Sequence, residues 1–130
     1  MVAKRVLLDT NVLIDILEGN PRGQQAKILL ESLETETVIG YSLITRFELL
    51  AIPEIVNNRP ARSLLETLTP VGLSEPIVDR AAHLFVSRYS RQRRKIPDAL
   101  IAATAIEMGA SLLTFDQADF KRIPELRVLT

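Results

Sequence analysis

The sequence has no cysteine, no tryptophan and one histidine, His83, in 130 residues. Without cysteine there is no disulfide scaffold, no thiolate nucleophile and no Fe–S or cysteine-ligated zinc site. One histidine argues against a multi-histidine metal centre. Its neighbours Ala81, Ala82 and Leu84 mark it as structural. Aromatics make up 5% of the chain, too few for a platform that grips single strands by base stacking. No apolar run approaches the about 18 residues of a membrane span. Asp9 and Asp15 break the run that begins at Val6, and Ala99 to Ala105 is short and followed by Glu107. No signal peptide is recognisable, so the expected location is cytoplasmic, with no membrane partner.

What is present is a chain with 47% hydrophobic residues, enough to exclude disorder and to build one core. Short β-rich runs alternate with helical patterns. Strands are expected at Arg5–Leu8, Thr37–Gly40, Pro70–Leu73 (the weakest), Ser111–Thr114 and Arg127–Leu129. Helices are expected from near Val12 and over Gln24–Leu33, Ser42–Ala51, Arg62–Leu68, Glu75–Arg88 and Asp98–Met108, the last ending at Gly109 as a left-handed cap. This alternation predicts an α/β fold, a central parallel sheet of about five strands flanked by helices. Ligands of such sheets bind outside the carboxyl ends of the strands.

Acids collect at those ends. The chain has only six aspartates. Asp9 closes the first strand, Asp98 follows Pro97 at a helix start, and Asp116 and Asp119 follow the fourth strand. Glu48 lies on a mostly apolar helical stripe formed by Ile44, Ala51 and Ile52, with Thr45 as the polar exception. Each has a plainer role. Asp9, Asp98 and Asp116 suit helix N-caps, Asp119 an exposed first turn, and Glu48 a boundary position bent towards water. Asp15, on the first helix, reads as a solvated or N-terminal helical aspartate.

Four clustered acids repel one another by several kcal/mol per close pair at an effective dielectric of about 20. A hard cation resolves that repulsion. Oxygen-only ligands point to Mg²⁺ or Mn²⁺, and such a centre suits phosphodiester hydrolysis by a metal-activated water. Thr10, Asn11 and Thr114 are placed to orient ligands or a phosphate.

The segment Leu7-Leu8-Asp9-Thr10-Asn11-Val12-Leu13-Ile14-Asp15 resembles the opening motif of PIN-domain ribonucleases, above all the VapC-type toxins of toxin–antitoxin pairs. Three further blocks follow in that family's order: Ser42-Leu43-Ile44-Thr45-Arg46-Phe47-Glu48-Leu49, Ile96-Pro97-Asp98-Ala99-Leu100-Ile101-Ala102-Ala103, and Leu113-Thr114-Phe115-Asp116-Gln117-Ala118-Asp119-Phe120. The resemblance covers essentially the whole chain and implies one PIN domain over residues 1–130. It implies metal-binding acids at Asp9, Glu48, Asp98 and Asp116. Family members vary between Asp and Asn at the last, and Asp119 is close enough to share its role. It further implies a Mg²⁺- or Mn²⁺-dependent endoribonuclease, a homodimer, and inhibition by a small antitoxin protein.

Arg88, Arg91, Arg93, Arg94 and Lys95 form a basic run around Tyr89, ending three residues before Asp98. It reads either as a solvated helix end or as an RNA-gripping rim, with Arg91, Arg93, Arg94 and Lys95 on phosphates. Zero net charge then reflects segregation. Arg46 is placed to pair with an acid. Two other functions compete. A phosphatase with Asp9 as nucleophile wants a second Asp where Asn11 stands. A catalytically silent PIN module would bind RNA or protein without cutting.

Overall fold

Alternating side chains on the first strand set the architecture. In the computed structural model, which describes residues 4–129, β1 (Arg5–Leu8) sends Leu7 to one core and Val6 and Leu8 to another. Residues 1–3 and 130 of the expected domain lie outside the described residues.

β1 is the middle strand of a five-stranded, all-parallel sheet with order β3-β2-β1-β4-β5. The other strands are β2 (Val38–Ser42), β3 (Thr69–Val71), β4 (Ser111–Leu113) and β5 (Arg127–Val128). The α/β class and the strand number are those the sequence predicts. Pro70 sits in β3, an edge strand, where its missing N–H is tolerated.

One face of the sheet is covered by α1 (Thr10–Glu18), α2 (Pro21–Glu31), α3 (Leu43–Leu50), α4 (Pro53–Val56) and α5 (Arg59–Glu66). The other is covered by α6 (Glu75–Ser87) and α7 (Ile96–Glu107). A short α8 (Gln117–Phe120) follows β4.

Helix starts differ from the periodicity because caps and prolines recruit residues before the apolar stripe. Asn20 accepts from the Gly23 N–H and Pro21 opens α2, three residues ahead of the expected Gln24. α5 likewise begins at Arg59, behind the Asn58 cap. At the end of α7, Gly109 does take a left-handed conformation, with φ +65°.

Asp15 is not merely solvated. It accepts from Asn20 Nδ2 at 2.9 Å and from Arg22 Nη2 at 2.8 Å, tying α1 to α2. These partners, Asn20 first, lower its pKa. The two helices meet so closely that a Cβ on Gly23 would lie 1.9 Å from the Asp15 carbonyl oxygen.

Candidate active site

The strand order reverses direction at β1, so the crevice between the carboxyl ends of β1 and β4 is the topological switch point. Asp9 stands there. Its backbone N–H donates to the Leu113 carbonyl at 2.9 Å. Its carboxylate accepts from the Thr10 N–H at 2.8 Å through Oδ1, and from Thr114 Oγ1 at 2.8 Å through Oδ2. It therefore caps α1 and also lines the cleft at this end of the sheet, so capping does not use up its carboxylate. Asp9 is only 6% exposed. Burial raises its pKa to about 6, against the lowering effect of Thr114, and the charges of Asp98 and Glu48 push it further up.

Two threonines act as relays. Thr114 donates to Asp9, so its oxygen is left to accept the Asp116 N–H at 3.0 Å. This links the ends of β1 and β4 through one hydroxyl. Thr10 Oγ1 donates to Glu48 Oε1 at 2.8 Å and lies 2.8 Å from Thr45 Oγ1. A carboxylate only accepts and a hydroxyl has one proton, so Thr45 must donate to Thr10. Thr45 is fully buried one turn before Glu48. The polar exception on the Glu48 stripe is thus the group that orients it. Among the described residues Arg46 pairs with no acid; it donates to the Tyr41 hydroxyl at 2.8 Å.

Asp98 is not an N-cap. α7 starts at Ile96, behind Lys95, which places Asp98 in the first turn. Burial raises its pKa, the adjacent Lys95 lowers it, and Asp119 and Asp116 raise it again. Asp116 occupies the N-cap of α8 but makes no side-chain cap bond. It is exposed, and its carboxylate is not spent on the helix. Asp119 is half-buried beside Lys95.

A cleft of about 290 Å³ is lined by Asp9, Thr10, Asn11, Glu48, Arg94 and Asp98, with Ile14, Ile52 and Pro97. Of the basic run only Arg88, the C-cap of α6, lies at a helix end. α6 stops at Ser87, Ser90 and Arg91 turn left-handed (φ 51° and 55°), and Arg93–Lys95 form a 3-10 turn. Arg91, Arg93 and Arg94 are exposed, with Arg94 at the cleft. The Lys95 ammonium instead reaches Asp98 and Asp119. His83 is exposed on α6, away from the cleft lining.

The reversal of the chain at Ser90 turns Tyr89 inward. Its hydroxyl is buried without a partner among the described residues. Burial raises its pKa, and the charges of Asp98, Asp119, Asp9 and Asp116 raise it further. Sequence reasoning assigned Tyr89 no role. A lone aromatic within a run of cations was the available signal, since an aromatic gains most from burial.

The donor set fits a hydrated divalent ion. Among the described residues no group of three His, Asp or Glu side chains is arranged to hold a metal ion directly. Mg²⁺ is ordinarily held by one or two carboxylates and keeps several waters. The pKa values of Asp9 and Asp98 are raised by burial and by neighbouring carboxylates, the condition a cation relieves. The orphaned Tyr89 hydroxyl among acids is a partner for water.

The sequence profile of the PIN domain matches residues 6–126. The chain belongs to the PIN-domain family, in its VapC branch. It is 35% identical to Ribonuclease VapC1 of Rickettsia felis, over 96% of this chain and 95% of that protein. It is 32% identical to Ribonuclease VapC19 of Mycobacterium tuberculosis, over 93% and 96% of the two chains. Among solved structures, a toxin–antitoxin complex from Klebsiella pneumoniae superposes with a TM-score of 0.74 at 32% identity, covering 96% of both chains.

Proposed function

We propose that this chain is a Mg²⁺- or Mn²⁺-dependent endoribonuclease, the toxin of a toxin–antitoxin pair, with Asp9, Glu48, Asp98 and Asp116 as its catalytic, metal-holding acids. The observation that carries this reading is Asp9, a buried carboxylate bonded across the switch point and surrounded by further acids. Two relatives of matching length are named ribonucleases, and the Klebsiella structure is a toxin–antitoxin complex. They support RNA as the substrate and a small antitoxin as the partner. A homodimer and a cytoplasmic location belong to the same reading; among the described residues no helix is long and apolar enough to cross a membrane.

When bound, the ion lowers the pKa of a coordinated water and stabilises charge on the phosphoryl oxygens. The chain's own contribution is position. Thr10 and Thr114 hold Asp9, Thr45 and Thr10 hold Glu48, and neither carboxylate must reorganise as charge develops. Asp116, with Asp119 near it, completes the acid side. Asn11 lies on the cleft wall, where its amide would meet the substrate. Arg94 at the cleft, with Arg91 and Arg93 outside it, draws the RNA backbone towards an otherwise acidic pocket. Lys95 lies deeper than this rim.

Cleavage of a cellular RNA pool tests the reading. Discrete cuts are expected with Mg²⁺ or Mn²⁺, none with EDTA, and none from a folded Asp98→Asn variant. Cleavage by Asp98→Asn at the wild-type rate would sink the assignment.

A further inference from the structure

The Asp98–Asp119 side of the cluster carries its own cation. Lys95 Nζ lies 3.3 Å from Asp98 Oδ2 and 3.3 Å from Asp119 Oδ2. The placement runs against local preference, because Lys95 occupies the N-cap of α7, where the helix dipole is positive and disfavours a cation. The Lys95 side chain is also only 22% exposed, so desolvation works against its charge. A lysine held against both the helix and desolvation is held there by the acids. Its neighbours in sequence behave differently: Arg91, Arg93 and Arg94 all stay exposed.

We propose that the Lys95 ammonium takes the place of a second divalent cation, so that this chain works with a single metal ion. This rests on the metal-dependent reading above. Two-metal centres place their ions about 3.5–4 Å apart, bridged by shared carboxylates. An ion joining Asp98 to Asp119 needs an oxygen of each within about 2.1 Å of one point. Nζ already stands between those two oxygens and excludes an ion from it. The ammonium brings a fixed positive charge and N–H donors to the side where a second ion would bring a Lewis acid. Asp9, Glu48 and Asp116 are not bonded to Lys95, and with the second carboxylate oxygen of Asp98 they remain for the one ion.

Mn²⁺ titration tests this, followed by the electron paramagnetic resonance signal of free Mn²⁺ and by calorimetry, with circular dichroism to verify folding. Wild type is expected to bind one Mn²⁺ per chain. Lys95→Met is expected to bind two, and Lys95→Arg, which restores the charge, one. Lys95→Gln, with a polar head, repeats the test should the methionine variant fold poorly. Two ions in wild type, or one in both charge-removed variants, overturns the Lys95 proposal and leaves the metal-dependent nuclease standing. No Mn²⁺ bound by any of these proteins overturns both.

Discussion

The two ends of the parallel sheet carry opposite charge and treat it in opposite ways. At the amino end, Arg5 Nη1 donates to the Met108 carbonyl and Arg127 Nη2 to the Gly109 carbonyl, each at 2.8 Å. Those carbonyls follow the last turn of α7, which has no intrahelical donor for them and a negative dipole end. The cations are satisfied, and a cavity of about 390 Å³ among Lys4, Arg5 and Arg127 lies beside them. Among the described residues each end has one buried hydroxyl without a partner, Thr37 at the amino end and Tyr89 at the carboxyl end. The carboxyl-end cleft is smaller, about 290 Å³, but there alone Asp9 and Asp98 are pushed upward in pKa. Cavity size would choose the first end. Unmet electrostatic demand chooses the second, and that demand is what reaction chemistry uses.

The largest expected effect breaks the carboxyl end. Asp9→Asn should lower cleavage on the order of 10³-fold, the scale of losing one preorganised electrostatic group. The same change should not weaken the fold. In the metal-free folded chain Asp9 keeps its proton up to about pH 6, whereas its ordinary value is 3.8. The native state therefore binds more protons between those values. Raising the pH from about 4 to above 6 should cost about 3 kcal/mol of stability. Urea unfolding across that range is the check. Asp9→Asn should remove most of the slope, and added Mn²⁺ should restore stability most strongly above pH 6. A metal-free protein with no slope, or a steep slope retained by Asp9→Asn, would contradict the assignment of strain to this carboxylate.

Much of this end was legible in the sequence because its acids sit where backbone elements change. A strand followed by an acid and a helix marks Asp9, and the apolar stripe around Glu48 marks a carboxylate in need of a partner. What was not legible depends on chain reversals. Ser90 and Arg91 are ordinary residues by type, and nothing in their identity announces two left-handed conformations that turn Tyr89 inward. The role of Lys95 is hidden for a related reason. In sequence it belongs with the arginines and it shares a 3-10 turn with Arg93 and Arg94; only its contacts with Asp98 and Asp119 set it apart. Asp98 reads as a cap because Pro-Asp is a start signal, but the proline here occupies the second residue of the helix rather than preceding it.

A smaller effect concerns the rim. Arg93→Gln and Arg94→Gln together should weaken RNA binding and flatten its dependence on salt. Each lost phosphate contact lowers the slope of log K against log[salt] by about 0.7 for a single strand. Binding of uncleavable RNA to Asp98→Asn, measured over a salt series, reads this without interference from cleavage. An unchanged slope would assign these arginines to solvent alone.

The smallest effect belongs to the amino end and is the sharpest check on the comparison. Arg127→Ala removes one charge-assisted bond to an exposed helix terminus, worth about 1 kcal/mol. The Gly109 carbonyl it leaves behind is exposed, so water can replace the donor and the loss stays near that value. The melting temperature should fall by a few degrees, roughly 2–6 °C for a domain of this size. Cleavage at a temperature well below melting should match wild type, because neither Asp9 nor Glu48 is held by anything at this end of the strands. A loss of cleavage without a loss of stability would mean that the two ends communicate through the five parallel strands, and that the partition of stability and chemistry between them does not hold.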